Sequence, residues 1–200
     1  INDDWNALNV LSNNASTVGA YDLDILDNET IDNVLSNQFE LVFLFGQDNL
    51  NIKKKNEFIV YIGTHGDRGA EMADLILPSA AYTEQDGYYT NLEGNLQLAF
   101  KASYPPGEAK EDWEIVNELS NKLKGKSLYT NKQELIDNLL NYLNQKTKKN
   151  DATVKNDFIK EEIFVDKTDY YFTNVIARSS KTMAECRNLK LVSLKTGTDG

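Results

Sequence analysis

The spacing of apolar residues changes several times along the first half of the chain, and each change predicts an element. A helical repeat runs from Trp5 to Val18 and ends near Gly19. A short extended piece over residues 20–23 then leads to a second helix at Asn28–Leu35. Continuous apolar runs follow, which is typical of strands buried on both faces and predicts a parallel sheet covered by helices. These runs are Leu41–Phe45, Phe58–Ile62 and Leu75–Leu77, the last ending at Pro78.

The pattern changes beyond Pro78 to turns and amphipathic helices. The turn dipeptides Asp86–Gly87 and Glu93–Gly94 flank extended residues and predict a hairpin. Two helices are expected after it, one burying apolar residues between Trp113 and Leu123 and one from about Asn131 to Asn144. The stripe of the second helix is predicted to be core, and it consists of Leu135, Leu139, Leu140 and Leu143.

The last quarter of the chain has a different character. Residues 146–151 are polar and predict a linker, and residues 158–186 are aromatic and irregular before a closing helix that Asn174 would cap. The sequence therefore predicts an α/β fold with a doubly wound, mainly parallel sheet and a helical, partly irregular carboxyl-terminal extension. We expect two parts, a domain over residues 1–145 and a linker with a docking tail over residues 146–200.

Composition narrows the classes of function. The chain has 200 residues, 40% of them apolar, and a net charge of −10, with nine acidic and no basic side chains in residues 1–50. An acidic surface repels phosphate and anionic lipid, which disfavours nucleic-acid binding and direct binding to a membrane surface. The longest tight apolar cluster has five residues, far short of the roughly 20 that a membrane helix needs. Any membrane association is expected to be indirect.

Cysteine and histidine usage bounds the metal chemistry. One cysteine, Cys186, and one histidine, His65, exclude an internal disulfide and cannot supply the ligand set of a zinc or iron–sulfur site. The chain begins at Ile1 and shows no signal-peptide pattern, which we interpret as a fragment or a processed chain.

The loop Gly63–Gly69 follows a predicted strand, which is where a phosphate-binding loop would lie. Its glycine spacing matches neither the dinucleotide fingerprint nor the P-loop, and a strand-like piece over residues 73–76 leaves no long helix for a phosphate. A tight turn between sheet elements is the favoured interpretation, with an independent nucleotide-binding module as the weaker one.

Two single residues could carry chemistry but lack partners. His65 could act as a general base with Asp67, yet no nucleophilic serine accompanies it, so a structural histidine is favoured. The predicted helix that carries Cys186 follows an arginine, which could make the thiol reactive, but a packed cysteine is favoured.

The remaining polar residues favour structural roles. A dense set around the third strand and the hairpin could serve glycoside chemistry, but such residues more often accept backbone N–H bonds; its members are Asp74, Glu84, Asp86, Asn91 and Glu93. Lys53–Lys55 is expected to be a solvated loop tip. The sequence therefore assigns no catalytic, cofactor-binding or metal-ligating residue to this chain.

Three motifs stand out, namely His65–Ala70, Ala73–Pro78 and Asn91–Gly94. Together they resemble the carboxyl-terminal part of the largest iron–sulfur subunit of respiratory complex I. The His65–Gly–Asp–Arg–Gly–Ala70 version is typical of that subunit, whereas Ala73–Pro78 and Asn91–Gly94 are shared with the wider molybdopterin oxidoreductases. One departure is Asn95, where the family usually has arginine. The further matching segments are Trp5–Leu11, Ala15–Ser16, Val18–Ala20, Ala81–Glu84, Pro105–Gly107, Glu111–Trp113, Tyr171–Asn174, Ile176, Arg178, Thr182–Ala184 and Cys186.

The resemblance implies a molybdopterin-oxidoreductase-like fold that has lost its pterin and has no redox centre of its own. Iron–sulfur clusters are expected in an amino-terminal half or partner chain that this sequence does not contain. The implied function is a structural and docking domain of NADH:ubiquinone oxidoreductase, which supports NADH oxidation and electron transfer to ubiquinone. The alternative is the carboxyl-terminal domain of a pterin-dependent, formate dehydrogenase-like oxidoreductase.

The resemblance also implies partners and a location. The partners would be other hydrophilic-arm subunits, including the flavin-bearing subunit and the iron–sulfur half, with no nucleic acid and with membrane association only through the complex. The location would be the matrix side of the mitochondrial inner membrane, or alternatively the cytoplasmic face of a bacterial plasma membrane.

Overall fold

The structure is a computed structural model that describes residues 14–25, 28–147 and 169–196. Its elements, in chain order, are α1 (Thr17–Asp22), α2 (Asn28–Leu35), β1 (Leu41–Phe45), β2 (Phe58–Gly63), α3 (Arg68–Met72), β3 (Leu75–Pro78), β4 (Gly87–Thr90), β5 (Leu96–Ala99), α4 (Asp112–Lys124), α5 (Lys132–Thr147), α6 (Val175–Ser179) and α7 (Lys181–Thr196).

The chain forms two compact units. The sheet unit contains the described residues of Glu40–Leu77 and Thr153–Gly200, and the hairpin unit contains those of Ile1–Phe39 and Pro78–Ala152. The boundary that the sequence predicts, at residues 145 and 146, stays a prediction.

The sheet unit has the α/β architecture that the sequence predicts. Its three strands lie in the order β1-β2-β3, and β1 pairs with β2 in parallel, with Leu41 opposite Phe58 and Phe45 opposite Ile62. The short helix α3 joins β2 to β3 and packs against β2. The predicted fold class, a mainly parallel sheet with helices, is confirmed.

The apolar runs that form β1 and β2 differ in burial. In β2, Ile59–Ile62 are all buried, as expected for a strand covered on both faces. In β1 only Val42 and Leu44 are buried, while Leu41, Phe43 and Phe45 are 51%, 37% and 48% exposed. The prediction of two-sided burial is therefore wrong for β1, and it is also wrong for β3, where Leu75 and Ile76 are 44% and 53% exposed. Among the described residues, both are edge strands of the sheet, and only β2 lies between two neighbours.

The hairpin unit is built on an antiparallel pair. Gly87–Thr90 pairs with Leu96–Ala99, as the two turn dipeptides predict, and Gly94 has a φ of +82° in the turn between them. Side chains of β4, β5, α4 and α5 line a shared apolar cavity of about 260 Å³. The predicted leucine stripe of α5 is half-buried. Leu123, predicted to be buried, is 73% exposed, because it lies in the last turn of α4 next to the C-cap Gly125.

The start of the described chain differs from the prediction. Residues 1–13 of the helix predicted over Trp5–Val18 lie outside the described residues, and the predicted extended piece over residues 20–23 is wrong because α1 covers Thr17–Asp22. Gly19 does not end a helix. A Cβ at Gly19 would stand 2.8 Å from the hydroxyl oxygens of both Ser16 and Thr90, so the glycine allows α1 to approach β4 closely.

The carboxyl-terminal elements are partly as predicted. The α5 helix continues to Thr147, so the predicted linker is wrong at residues 146–147, and its remainder lies outside the described residues. Asn174 caps α6, as predicted, by accepting a 2.9 Å hydrogen bond from the Ala177 amide. The longer helix α7 then follows as a separate element. Of the stretch over residues 158–186 that was predicted to be irregular, residues 158–168 lie outside the described residues. The prediction is wrong for residues 175–179 and 181–186, which form α6 and the first part of α7.

Candidate functional site

The polar side chains of the sheet unit meet where β1 and β2 end. We call this group the loop cluster and define it as Asp48, Tyr61, His65, Asp67 and Arg178. Asp48 follows β1, His65 and Asp67 lie in the loop that follows β2, and Arg178 comes from α6. The carboxyl ends of parallel strands are the usual position of ligand sites in α/β sheets, so this group is the candidate site.

Asp48 is the buried centre of the loop cluster. Asp48 is only 3% exposed. One of its carboxylate oxygens accepts a 3.0 Å hydrogen bond from the Tyr61 hydroxyl, and the other accepts a 3.0 Å hydrogen bond from the Gly69 amide. Burial raises the pKa of Tyr61, and the bond to the Asp48 carboxylate raises that pKa further. Sequence reasoning missed Asp48, although an acidic residue three positions after a predicted parallel strand was a usable signal.

The glycines of the loop provide space for the Tyr61 ring. A Cβ at Gly69 would lie 2.6 Å from the Gln47 carbonyl oxygen and 2.6 Å from the ring, and a Cβ at Gly63 would lie 2.5 Å from the same ring. Neither glycine has a positive φ, and Gly66 has nothing within 4 Å of its Cβ position. Gly63 and Gly69 are therefore required by close approach to the Tyr61 ring, and the tight-turn interpretation stays a prediction.

His65 and Asp67 have different partners. The Nδ1 of His65 lies 2.8 Å from the Thr64 hydroxyl, and its carbonyl oxygen accepts a 3.2 Å bond from Tyr61. Asp67 instead pairs with the Nε of Arg178, and this bond holds the pKa of Asp67 below its ordinary value. The geometry does not form the His–Asp pair that a general base would need, which supports the structural interpretation of His65.

Arg178 and Arg187 organise the tail within the sheet unit. Arg178 also donates a 3.2 Å bond to the Phe172 carbonyl. Arg187 forms an ion pair of 2.6 Å with Asp169 and stands 4.9 Å from the centre of the Phe172 ring. Cys186 is exposed, so the prediction of a packed cysteine is wrong. Its neighbour Arg187 makes the contacts with Asp169 and Phe172 instead.

The polar set beside the third strand and the hairpin has a structural role. Each of its hydrogen bonds joins residues of the same unit. Asp74 accepts a 2.8 Å bond from the Ile59 amide and forms a 2.6 Å ion pair with Lys54. The predicted role as backbone acceptors is confirmed for four members: Asp74, Glu84 on the Ala81 amide, Asp86 on the Lys101 amide, and Asn91 on the Glu93 and Asn95 amides. Glu93 instead accepts from the Asn95 side chain.

The lysine triplet is exposed, as predicted. Lys54 also donates a 3.0 Å bond to the Met72 carbonyl, so this part of the loop is tied to the end of α3. The triplet is therefore a solvated loop in which Lys54 also has a structural contact.

The hairpin unit has its own half-buried carboxylate, which sequence reasoning also missed. Burial raises the pKa of Asp112, at the start of α4, and the Ser79 hydroxyl donates a hydrogen bond to it. Lys132 donates a 3.0 Å bond to the Asp86 carbonyl and pairs with Glu111, next to Asp112 in sequence. These contacts join the hairpin, α4 and α5 in one polar network.

Within residues 14–25, 28–147 and 169–196, no group of three or more acidic, cysteine or histidine side chains is placed to hold a metal ion. Over the same residues, no helix combines the length and the apolar character needed to cross a membrane.

Comparison with known proteins identifies the family. Residues 1–122 match the family model described as molybdopterin oxidoreductase. The chain belongs to the molybdopterin oxidoreductase family. Residues 134–186 match a second model, which describes the carboxyl-terminal region of the G subunit of NADH-ubiquinone oxidoreductase. The resemblance drawn from the motifs is confirmed by both.

Curated members of the family agree over nearly the whole chain. The chain is 43% identical over 94% of its length to the G subunit of the NADH-quinone oxidoreductase of Rickettsia bellii. It is 37% identical over 92% of its length to the NADH-ubiquinone oxidoreductase 75 kDa subunit of Reclinomonas americana, and 39% identical over 92% to the mitochondrial 78 kDa subunit of Candida albicans. The chain spans 28 to 29% of the length of these relatives.

The family name raises the question of whether the loop cluster fits a pterin cofactor. Such a group carries phosphate, which needs free amide N–H groups or cations at a strand end. Here the Gly69 amide is used by Asp48 and the Arg178 guanidinium by Asp67 and Phe172. Asp48 and Asp67 add negative charge beside these donors. The loop cluster does not fit a pterin cofactor, because the Gly69 amide and the Arg178 guanidinium are already bound by the chain itself.

Proposed function

We propose that this chain is a structural and docking domain of the large subunit of NADH:quinone oxidoreductase, respiratory complex I. It supports NADH oxidation and electron transfer to quinone from outside the electron path, and it has no redox centre of its own. The names of its relatives and the match of residues 134–186 to a model of a complex I subunit support this proposal.

The internal satisfaction of the loop cluster is the observation that carries the proposal. A site that binds a ligand needs convergent polar groups that are free to meet it. At the strand ends of this sheet, Asp48 takes the Tyr61 hydroxyl and the Gly69 amide, and Asp67 takes the Arg178 guanidinium. These bonds stabilise the fold, and they occupy polar groups that a ligand or a reacting group would otherwise contact.

A pterin-dependent oxidoreductase is the second candidate, and the match of residues 1–122 to the family model favours it. That candidate would require the loop Gly63–Gly69 to contact the cofactor, which the bonds of Asp48 to the Gly69 amide and of Asp67 to Arg178 disfavour. The two proposals differ in their metal content, because a pterin enzyme carries molybdenum or tungsten.

The partners and location belong to the same proposal. The iron–sulfur clusters would lie in the part of the large subunit that this chain does not span, or in a partner chain, and the flavin-bearing subunit would be a neighbour. The chain would lie in the hydrophilic arm on the matrix side of the mitochondrial inner membrane, or on the cytoplasmic face of a bacterial plasma membrane. Its association with the membrane would be indirect.

Purification of the tagged chain from its native membranes tests the proposal. We expect co-purification with NADH:quinone reductase activity, with iron but without stoichiometric molybdenum, tungsten or pterin. Stoichiometric molybdenum or tungsten would establish the second candidate instead. A chain that migrates only as a free monomer, apart from NADH dehydrogenase activity, would contradict the first proposal.

Variants at the two ends of the third strand separate a docking role from a catalytic one. Asp74→Ala removes the acceptor of the Ile59 amide and the partner of Lys54, and Pro78→Ala alters the end of β3. Both are expected to lower the amount of assembled complex without changing turnover per assembled complex. An intact complex with a reduced turnover would contradict the docking role.

A further inference from the structure

Among the described residues, the strand β1 has one edge with no neighbouring strand, and its hydrogen bonds show which residues face that edge. The Phe58 amide donates a 2.8 Å bond to the Glu40 carbonyl, and the Gly46 amide donates a 2.7 Å bond to the Ile62 carbonyl. In a parallel pair, alternate residues of a strand direct both backbone groups to the same neighbour. Residues 40, 42, 44 and 46 therefore face β2.

The other residues of β1 direct their N–H and C=O groups to the opposite edge. These residues are Leu41, Phe43 and Phe45, and within the described ranges no strand pairs with that edge. Unpaired strand edges are templates for further pairing. Native edges are usually protected by charge, proline or a bulge, and the sequence Leu–Val–Phe–Leu–Phe of β1 contains no charge and no proline.

The same three residues also expose apolar side chains. Leu41, Phe43 and Phe45 are 51%, 37% and 48% exposed on one face of the sheet, while Val42 and Leu44 on the other face are buried. Phe58 lies opposite Leu41 in the register and is 48% exposed. The free edge and the bare face therefore belong to one surface, which we call the β1 surface and define as Leu41, Phe43, Phe45 and Phe58.

We propose that the β1 surface binds an extended apolar segment of the large subunit that lies outside these 200 residues and adds a strand to the sheet. This inference rests on the proposed function and names the partner of one surface. The relatives supply such polypeptide, because the chain spans only 28 to 29% of their length while they match 92 to 94% of it.

A second copy of the chain is a poorer occupant for electrostatic reasons. Each copy carries a net charge of −10, and residues 1–50, which include β1, hold nine acidic and no basic side chains. Two such surfaces repel each other at moderate salt. An extended apolar segment with few charges meets no such barrier and satisfies the backbone groups of the edge.

Photo-cross-linking in the assembled complex tests the occupant. The photoreactive analogue of phenylalanine, benzoylphenylalanine, replaces Phe43 in the tagged chain, and the complex is irradiated in native membranes before the linked peptides are mapped by mass spectrometry. We expect the adduct in an apolar stretch of the large subunit outside this chain. The same analogue at Tyr82, an exposed aromatic residue of the hairpin unit, is the control and should not link to that stretch. An adduct within these 200 residues, with a second copy or with no polypeptide would overturn the proposal.

A proline variant tests the backbone pairing itself. Phe43→Pro removes an amide that faces the free edge and leaves the hydrogen bonds between β1 and β2 in place, whereas Phe43→Ala removes the ring but keeps the amide. We expect the amount of assembled complex, relative to total chain, to fall at least tenfold further for Phe43→Pro than for Phe43→Ala. Equal effects of the two variants would overturn strand addition.

Failure of this inference is distinguishable from failure of the proposed function. A wild-type chain that co-purifies with NADH:quinone reductase activity, but shows no adduct from position 43 to the large subunit, refutes the strand addition alone. A wild-type chain that does not co-purify refutes the proposed function. If the Phe43→Pro chain does not accumulate, the cross-link from position 43 still tests the proposal, because it is measured in the native fold.

Discussion

The Tyr61 hydroxyl donates a 3.0 Å hydrogen bond to the Asp48 carboxylate, and both residues are buried at the strand ends of the sheet unit. The bond joins the end of β2 to the segment that follows β1. It also provides Asp48 with one of its two partners, so its loss would leave a buried carboxylate oxygen without a donor.

We therefore predict that Tyr61→Phe lowers the free energy of unfolding by about 1–3 kcal/mol, the usual effect of a buried polar group that loses its partner. Urea denaturation followed by circular dichroism measures it. The control is Tyr82→Phe, at a residue 62% exposed, which should change stability by no more than about 0.5 kcal/mol. Equal effects at the two positions would show that the Asp48 bond does not stabilise the fold.

The two glycines at the middle and end of the loop provide a matched pair. Gly69→Ala would place a methyl group 2.6 Å from the Gln47 carbonyl oxygen and is expected to destabilise the fold by roughly 1–3 kcal/mol. Gly66→Ala enters open space without a positive φ and should be neutral or stabilising by up to about 1 kcal/mol. Thermal unfolding of both variants measures the difference, and a tolerated Gly69→Ala would disprove the close packing of the Tyr61 ring.

The ion pair of Asp67 and Arg178 predicts a pH-dependent coupling. Arg178 lowers the pKa of Asp67 in the folded state, so the stabilisation is fully present above the ordinary carboxyl pKa of 3.8 and is lost as the pH falls through the lower folded value. A double-mutant cycle with Asp67→Asn and Arg178→Met should give a coupling of about 0.5–1 kcal/mol at pH 7. The coupling should be smaller at pH 3.

Hydrogen exchange localises the same ion pair. Amides of Val175–Ser179 should exchange faster in Arg178→Met, because the guanidinium holds α6 to the loop. Lys181→Met, an exposed neighbour on α7, is the control and should leave that exchange unchanged. In the double-mutant cycle of Asp67 and Arg178, a coupling that is as large at pH 3 as at pH 7 would show that the contact stabilises the fold by packing and not by charge.

Asp112 predicts the opposite pH dependence. Burial raises its folded pKa, so the wild type gains most from this group below the ordinary value of 3.8 and loses that stability as the pH rises through the folded pKa. Asp112→Asn keeps an acceptor for Ser79 and removes the charge. Its stability relative to wild type should therefore rise from pH 3.5 to pH 7, as measured by urea denaturation.

Asp137→Asn, at an exposed position of α5, is the control for that series and should show no such trend. A flat difference for Asp112→Asn would mean that favourable charge at the start of α4 outweighs burial.

The sequence predicted the strands well because their apolar runs and turn residues are local signals. Leu41–Phe45 forms a strand at the residues expected, and Asp86–Gly87 and Glu93–Gly94 flank the expected hairpin. The exposure of Phe43 was not predictable in the same way. A continuous apolar run records that a residue is suited to burial, whereas coverage of each face depends on which elements are present.

The site was less predictable because its partners are distant in sequence. Asp67 and Arg178 were both part of the family resemblance, but their pairing joins residues 111 positions apart. Gly19 was interpreted as a helix end because glycine usually favours that position, while the structure uses it to accommodate Ser16 and Thr90. Tertiary proximity decided both cases, and a single sequence does not encode it locally.

The bare β1 strand has a consequence for protein quality control. A short apolar segment with high β-propensity and no charge or proline is the usual signature of aggregation when it is accessible. Copies of this chain made in excess of their binding partner would therefore precipitate or be degraded. A chaperone that shields Leu41–Phe45 until the proposed partner segment pairs with β1 would prevent this loss.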